Sequence, residues 1–160
     1  MATALRTLIA AVKFQPAPPD ASTLQRFNVS TLLARSYNAQ SRFELEAALA
    51  SARAAVAQAP DFAFGWARVA ELELSFGRTS RALAAADRAL ELAPRHAQAM
   101  TVKGFLLAAQ NRITSALAQF DEAIAADGKL GNAWLGRGLV KIRQGMDRHL
   151  LDLVRCINSH

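Results

Sequence analysis

The sequence predicts an all-α protein built from repeated helical hairpins, and three observations lead to this fold class. Alanine and leucine, which are strong helix formers, supply 35 and 21 of the 160 residues. The β-branched residues that favour strands are sparse, which argues against a sandwich or a barrel. Similar residues also recur at a step of 34 positions, and such a period is typical of helical repeat proteins.

Six series of residues keep the 34-residue step. Large apolar residues, small residues and helix-ending residues each recur in their own series, so the repeat concerns residue type as well as spacing. The series are Trp66, Met100 and Trp134; Ala70, Gly104 and Gly138; Gly77, Asn111 and Gly145; Ala82, Ala116 and Leu150; Ala86, Phe120 and Val154; and Ala89, Ala123 and Ile157.

Each repeating unit is predicted to contain two helices. In the unit 63–96 the first helix runs from about Phe64 to Phe76, and Gly77 ends it because glycine tolerates left-handed geometry. The second helix runs from about Ser80 to Leu92 and stops before Pro94, since proline cannot continue a helix. The small residues of both helices allow a close approach, and we expect Trp66, Trp134 and Phe120 to fill the core.

The 34-residue step divides residues 27–160 into four units, and the residues before them form a different segment. Residues 1–18 are predicted to hold half a repeat, one helix followed by a proline-rich break, and residues 19–26 a connector. The units are 27–62, 63–96, 97–130 and an incomplete 131–160. The first unit fits only as 36 residues, with two extra residues near Gln40–Glu46. In the last unit, residues 147–160 are predicted as a separate second helix. The lack of a polar capping helix suggests a segment of a longer array, or ends that dock on something.

The unit 63–96 carries most residues of a known 34-residue repeat signature. Its matching residues are Trp66, Val69, Ala70, Gly77, Ala82, Ala86, Ala89 and Pro94. This pattern resembles the tetratricopeptide repeat (TPR) family, and the resemblance extends over residues 27–160. It implies a right-handed superhelical solenoid whose first helices line a concave groove. It also implies a non-enzymatic scaffold that binds a peptide or helix of a partner protein in that groove.

The resemblance assigns a set of partner-binding side chains to the groove. Asn, Gln and Arg among them suit a peptide backbone or a carboxylate, and the aromatic and leucine residues supply apolar anchors. The set is Arg35, Asn38, Phe64, Arg68, Glu71, Gln98, Thr101, Phe105, Asn132, Leu135, Leu139 and Arg143.

Binding of chaperone tails is disfavoured by the same resemblance. Some family members hold an acidic C-terminus in a clamp of Lys, Asn and Arg. The corresponding residues here are Thr31, Arg35, Arg68, Gln98 and Val102, so the Lys and most of the Asn are absent. Arg35 and Arg68 still favour an acidic or C-terminal peptide.

The sequence gives no sign of catalysis, a cofactor or a metal site. Gly136-Arg-Gly138 resembles half of a dinucleotide fingerprint, but it falls inside a predicted helix, so close helix packing explains it better. Asp121 and Glu122 could suggest a pair of catalytic carboxylates. They are adjacent on a predicted helix and point about 100° apart, so they would not converge on one bond. Cys156 and His160 supply at most two metal ligands where a closed site needs four.

The sequence leaves two alternative functions open. The net charge is +6, and the basic excess lies in residues 1–26 and 131–160, so association of these ends with a polyanion or nucleic acid is one alternative. Self-association through uncapped terminal repeats is the other.

No stretch of 18 apolar residues and no clear signal peptide occur, which favours a cytoplasmic protein without establishing the compartment.

Overall fold

The computed structural model describes the backbone of residues 28–158 and the side chains of residues 28–145. The predicted half-repeat at 1–18 and the connector at 19–26 lie outside this range. The described part is helical with no strand, as the sequence predicts. Its helices are α1 (Val29–Ser41), α2 (Leu45–Gln58), α3 (Ala63–Ser75), α4 (Thr79–Leu92), α5 (Ala97–Ala109), α6 (Ile113–Ala126) and α7 (Gly131–Asn158).

The chain divides into two compact units, Met1–Pro94 and Arg95–His160. In the first unit α1 pairs with α2 and α3 pairs with α4, while α2 packs against α3. In the second unit α5 pairs with α6, and α7 packs against both. None of the helices between residues 29 and 158 has the length and apolar character needed to cross a bilayer.

The three hairpin turns have the same length and the same geometry. Each leaves three residues between its helices, and the middle residue takes a positive φ: 62° at Phe43, 69° at Gly77 and 61° at Asn111. These residues are 34 positions apart, so the two-residue insertion expected near Gln40–Glu46 is wrong. The first hairpin was misaligned because Phe43 stands where glycine or asparagine is the usual residue.

Small residues let the paired helices approach closely. On the second helices, Ala48, Ala82 and Ala116 are fully buried. On α5, a Cβ added to Gly104 would lie 2.7 Å from Cε1 of Phe120, so the ring of α6 occupies the space that a side chain would need. The same ring fills the space beside Gly136 of α7, which confirms close helix packing as the role of that glycine.

The last predicted hairpin does not form. Residues 131–158 are a single helix of 28 residues, so the prediction of a separate second helix from residue 147 is wrong. Gly145 lies within this helix instead of ending it. Trp134 was expected in the core, but it is 49% exposed because no second helix packs over it. Phe120, in contrast, is fully buried as predicted.

Candidate functional site

Arg68 lies at the centre of a polar cluster in the first unit. Its Nε donates to the Ser36 hydroxyl at 2.9 Å, and its Nη2 donates to the Ser36 carbonyl oxygen at 3.2 Å. Its Nη1 donates to Oε2 of Glu71 at 2.9 Å, and its guanidinium lies 4.0 Å from the centre of the Tyr37 ring. The side chain is 1% exposed. The guanidinium therefore joins α1 to α3 and holds the carboxylate of Glu71 beside it.

Two members of this cluster were not anticipated from the sequence. Ser36 and Tyr37 belong to α1, and the misplaced insertion put the wrong α1 residues opposite α3. The 34-residue step gives the signal that was available, since Ser36 precedes Ala70 by 34 positions and occupies the same small-residue site. Ser36 is fully buried, which is consistent with that role.

The other predicted residues of the first unit differ in exposure. Asn38 is buried and Arg35 is half-buried, whereas Phe64 is exposed. The Phe64 ring lies 5.9 Å from the Phe62 ring, centre to centre. Of these side chains, Phe64 alone presents most of its surface to solvent.

A row of exposed apolar side chains runs along α7 in the second unit. Leu135, Leu139 and Ile142 are 57%, 53% and 63% exposed. Their spacing of four and three residues places them on one face of the helix. We call these three residues the apolar row. Ile142 was missed by the sequence analysis, although the same spacing points to it.

The remaining predicted residues of the second unit have mainly structural contacts. The Thr101 hydroxyl is buried and donates to the Ala97 carbonyl oxygen at 2.8 Å. The Phe105 ring is half-buried and meets the Phe120 ring edge-to-face at 5.1 Å. Arg143 donates to the Ala108 carbonyl oxygen at 3.3 Å and to Oδ1 of Asn111 at 3.0 Å, which fixes α7 to the end of α5. Gln98 is half-buried and Asn132 is exposed.

His96 caps the first helix of the second unit. Its Nδ1 accepts a hydrogen bond from the Ala99 amide at 3.4 Å. Burial lowers the pKa of this imidazole, because the charged form loses its hydration. Across the described residues, no group of three His, Cys, Asp or Glu side chains is placed to hold a metal ion.

The described helices match solved structures, although no family model and no curated protein matches the sequence. The TPR domain of Sgt2 from Aspergillus fumigatus is 18% identical with a TM-score of 0.67, over 76% of this chain and 82% of that domain. The TPR2B domain of yeast Sti1 in its pHsp70 complex is 17% identical with a TM-score of 0.63, over 72% of this chain and 97% of that domain. The chain has a TPR-like fold. A third TPR domain of this fold, from Spaghetti (RPAP3), is bound to the HSP90 peptide SRMEEVD. It is 10% identical with a TM-score of 0.65, over 74% of this chain and 94% of that domain.

Proposed function

We propose that this chain is a non-enzymatic protein-interaction module that binds a peptide or helix of a partner protein through its first helices. TPR-like domains of the same fold were solved with such ligands, a pHsp70 complex in Sti1 and an HSP90 peptide in RPAP3. The fold supplies a rigid scaffold, so little ordering entropy is lost on its side when a partner binds.

The apolar row carries this proposal. Three large aliphatic side chains, each more than half exposed, stand one turn apart on a single helix face. A surface of this kind favours a partner segment with apolar residues at matching spacing, since burial of both faces drives association. Buried residues of the predicted set, such as Arg68 and Thr101, hold the helices in place instead of touching the partner.

A peptide selection tests the proposal. Peptides are selected by display against the immobilised chain, and the Kd of an enriched peptide is measured by titration. The triple variant Leu135→Ser, Leu139→Ser, Ile142→Ser should weaken that peptide at least about tenfold, because it removes the apolar anchors. Phe43→Ser is the matched control, since Phe43 is 88% exposed and lies in a turn of the other unit.

Unchanged affinity in the triple variant, with far-UV circular dichroism still helical, would show that partners do not use the apolar row. A loss of affinity in the Phe43→Ser control would point to non-specific adsorption of peptides on exposed apolar residues.

A further inference from the structure

Arg143 places a fixed positive charge beside the apolar row. It follows Leu139 by four residues, so the two side chains are neighbours on the surface of α7. Its Nη1 donates to the Ala108 carbonyl oxygen at 3.3 Å, and its Nη2 donates to Oδ1 of Asn111 at 3.0 Å. A guanidinium has five N–H groups, so three remain for a further acceptor, and the side chain is exposed.

Both acceptors of Arg143 are neutral, in contrast to the acceptor of the preceding arginine on the same helix. Arg137 forms an ion pair with Asp121, with 2.9 Å between nitrogen and oxygen. No carboxylate among residues 28–145 lies within ion-pair distance of Arg143. The two neutral contacts therefore hold the guanidinium in place without compensating its charge.

The helices that position Arg143 carry no acidic residue near it. Helix α5 and residues 131–145 of α7 contain no Asp or Glu. Between residues 95 and 145 the acidic residues are Asp121, Glu122 and Asp127, all on α6 or immediately after it, against seven Lys or Arg. This charge distribution favours an acidic segment over a basic one beside the apolar row.

The apolar row also indicates the shape of that segment. Its three side chains extend along about 10.5 Å of α7, at a rise of about 1.5 Å per residue. A partner helix with apolar residues at positions i, i+4 and i+7 has the same rise and therefore the same spacing. Three residues on one face of an extended strand span about 13 Å. The row therefore fits an amphipathic helix better than an extended peptide.

We propose that the partner segment is an acidic amphipathic helix, whose apolar residues cover the apolar row while an aspartate or glutamate beside them pairs with Arg143. This inference rests on the proposed function and adds the charge of the ligand to it. Because the guanidinium is already held in place, little side-chain entropy is lost when the carboxylate binds. An acidic peptide without matching apolar residues gains only long-range attraction, since nothing holds its carboxylates at Arg143.

A library of helical peptides tests the charge preference without fixing the docking direction. Each peptide has leucine at positions i, i+4 and i+7, and the positions flanking the leucines are drawn equally from Glu, Gln and Lys. The C-terminus is fused to the display carrier, so no free carboxylate is offered there. Selection on the immobilised natural chain should enrich Glu over Lys at one or more flanking positions. Arg143→Glu should reverse the preference to Lys at those positions, a gain that an unfolded variant cannot show.

Lys141→Glu is the matched control, because it makes the same charge change on the same helix. Lys141 is exposed and lies two residues from both Leu139 and Arg143, about 200° around the helix and away from them. Selection on this variant should still enrich Glu. For an enriched peptide, replacing the selected Glu by Gln should weaken binding to the natural chain about fivefold and leave binding to Arg143→Gln unchanged.

The outcomes separate this inference from the proposed function. Equal enrichment of Glu, Gln and Lys by a chain that still requires the leucines would overturn the acidic preference and leave the apolar row as the binding surface. Loss of the Glu preference in both charge variants would also overturn it, since net charge and not Arg143 would then attract the ligand. If a library with serine in place of leucine is retained equally well, the proposed function fails and the inference fails with it.

Discussion

Arg68 brings a buried positive charge into an otherwise alanine-rich interior. A guanidinium removed from water is tolerated only if its donors find acceptors, and Ser36 and Glu71 supply them. The contact with the Tyr37 ring adds a cation–π attraction. This side chain therefore stabilises the junction of α1 and α3, and its role in the first unit is structural.

Replacing Arg68 should cost far more stability than replacing an exposed arginine in a similar pair. Arg68→Met keeps most of the volume but removes the hydrogen bonds to Ser36 and Glu71, so we expect a loss of about 2 kcal/mol. Arg88→Met is the matched control, since Arg88 also pairs with a glutamate three residues later but in solvent. The control should cost less than about 1 kcal/mol. Urea unfolding measures both, and equal losses would contradict the buried position of Arg68.

His96 should make stability depend on pH near neutrality. Burial lowers its pKa below the ordinary value of 6.5, so the unfolded chain binds this proton more readily than the folded one. The stabilisation that the neutral imidazole contributes is present in full above the pKa of the unfolded chain. It is lost as the pH falls through the pKa of the folded chain. Unfolding free energies measured from pH 7.5 to 5.5 should decrease, because protonation also removes the Nδ1 acceptor from the Ala99 amide.

His96→Asn isolates this effect, since asparagine caps a helix without titrating. The variant should show a flatter pH profile over the same range. If its profile matches that of the natural chain, the pH dependence comes from other groups.

At the scale of the elements, helix ends were predictable where residue type and backbone agreed. Gly77 and Asn111 both marked turns correctly, because their positive φ suits those residues. Phe43 takes the same φ without any sequence signal, so the first register was misjudged. Gly145 gave the opposite error: the residue type suggested a turn, but the helix continues through it. A glycine permits a helix end without requiring one.

The same substitution at two corresponding positions should therefore have opposite effects. Gly77→Ala places a Cβ on a residue with φ of 69°, which should cost about 1 kcal/mol. Gly145→Ala should stabilise the chain by up to about 1 kcal/mol, because alanine is the better residue inside a helix and nothing lies near the new Cβ. Thermal or urea unfolding gives both values. A destabilising Gly145→Ala would indicate that α7 ends there.

At the scale of the whole molecule, the repeat step predicted the fold because each hairpin must bury the same small-residue face. It predicted the candidate site less well. The resemblance to the TPR family pointed to Leu135 and Leu139, and both are more than half exposed. Whether a residue's place on a helix is covered depends on a neighbouring element, as the burial of Arg68 by Ser36 and Tyr37 shows. The continuous α7 also leaves exposed a face that the repeat pattern assigned to a hairpin.

The net charge of +6 and the absent clamp residues together predict how an acidic chaperone peptide behaves. SRMEEVD, the peptide bound in the RPAP3 domain, should be attracted by charge alone, since Arg68 is buried and its guanidinium is held by Ser36 and Glu71. Fluorescence anisotropy should then give the same weak affinity for SRMEEVD and for a scrambled peptide of equal charge. Both should weaken as salt is raised, because the Debye length falls to about 8 Å at 0.15 M ionic strength. A clear preference for SRMEEVD that persists in salt would instead show a specific carboxylate site on this chain.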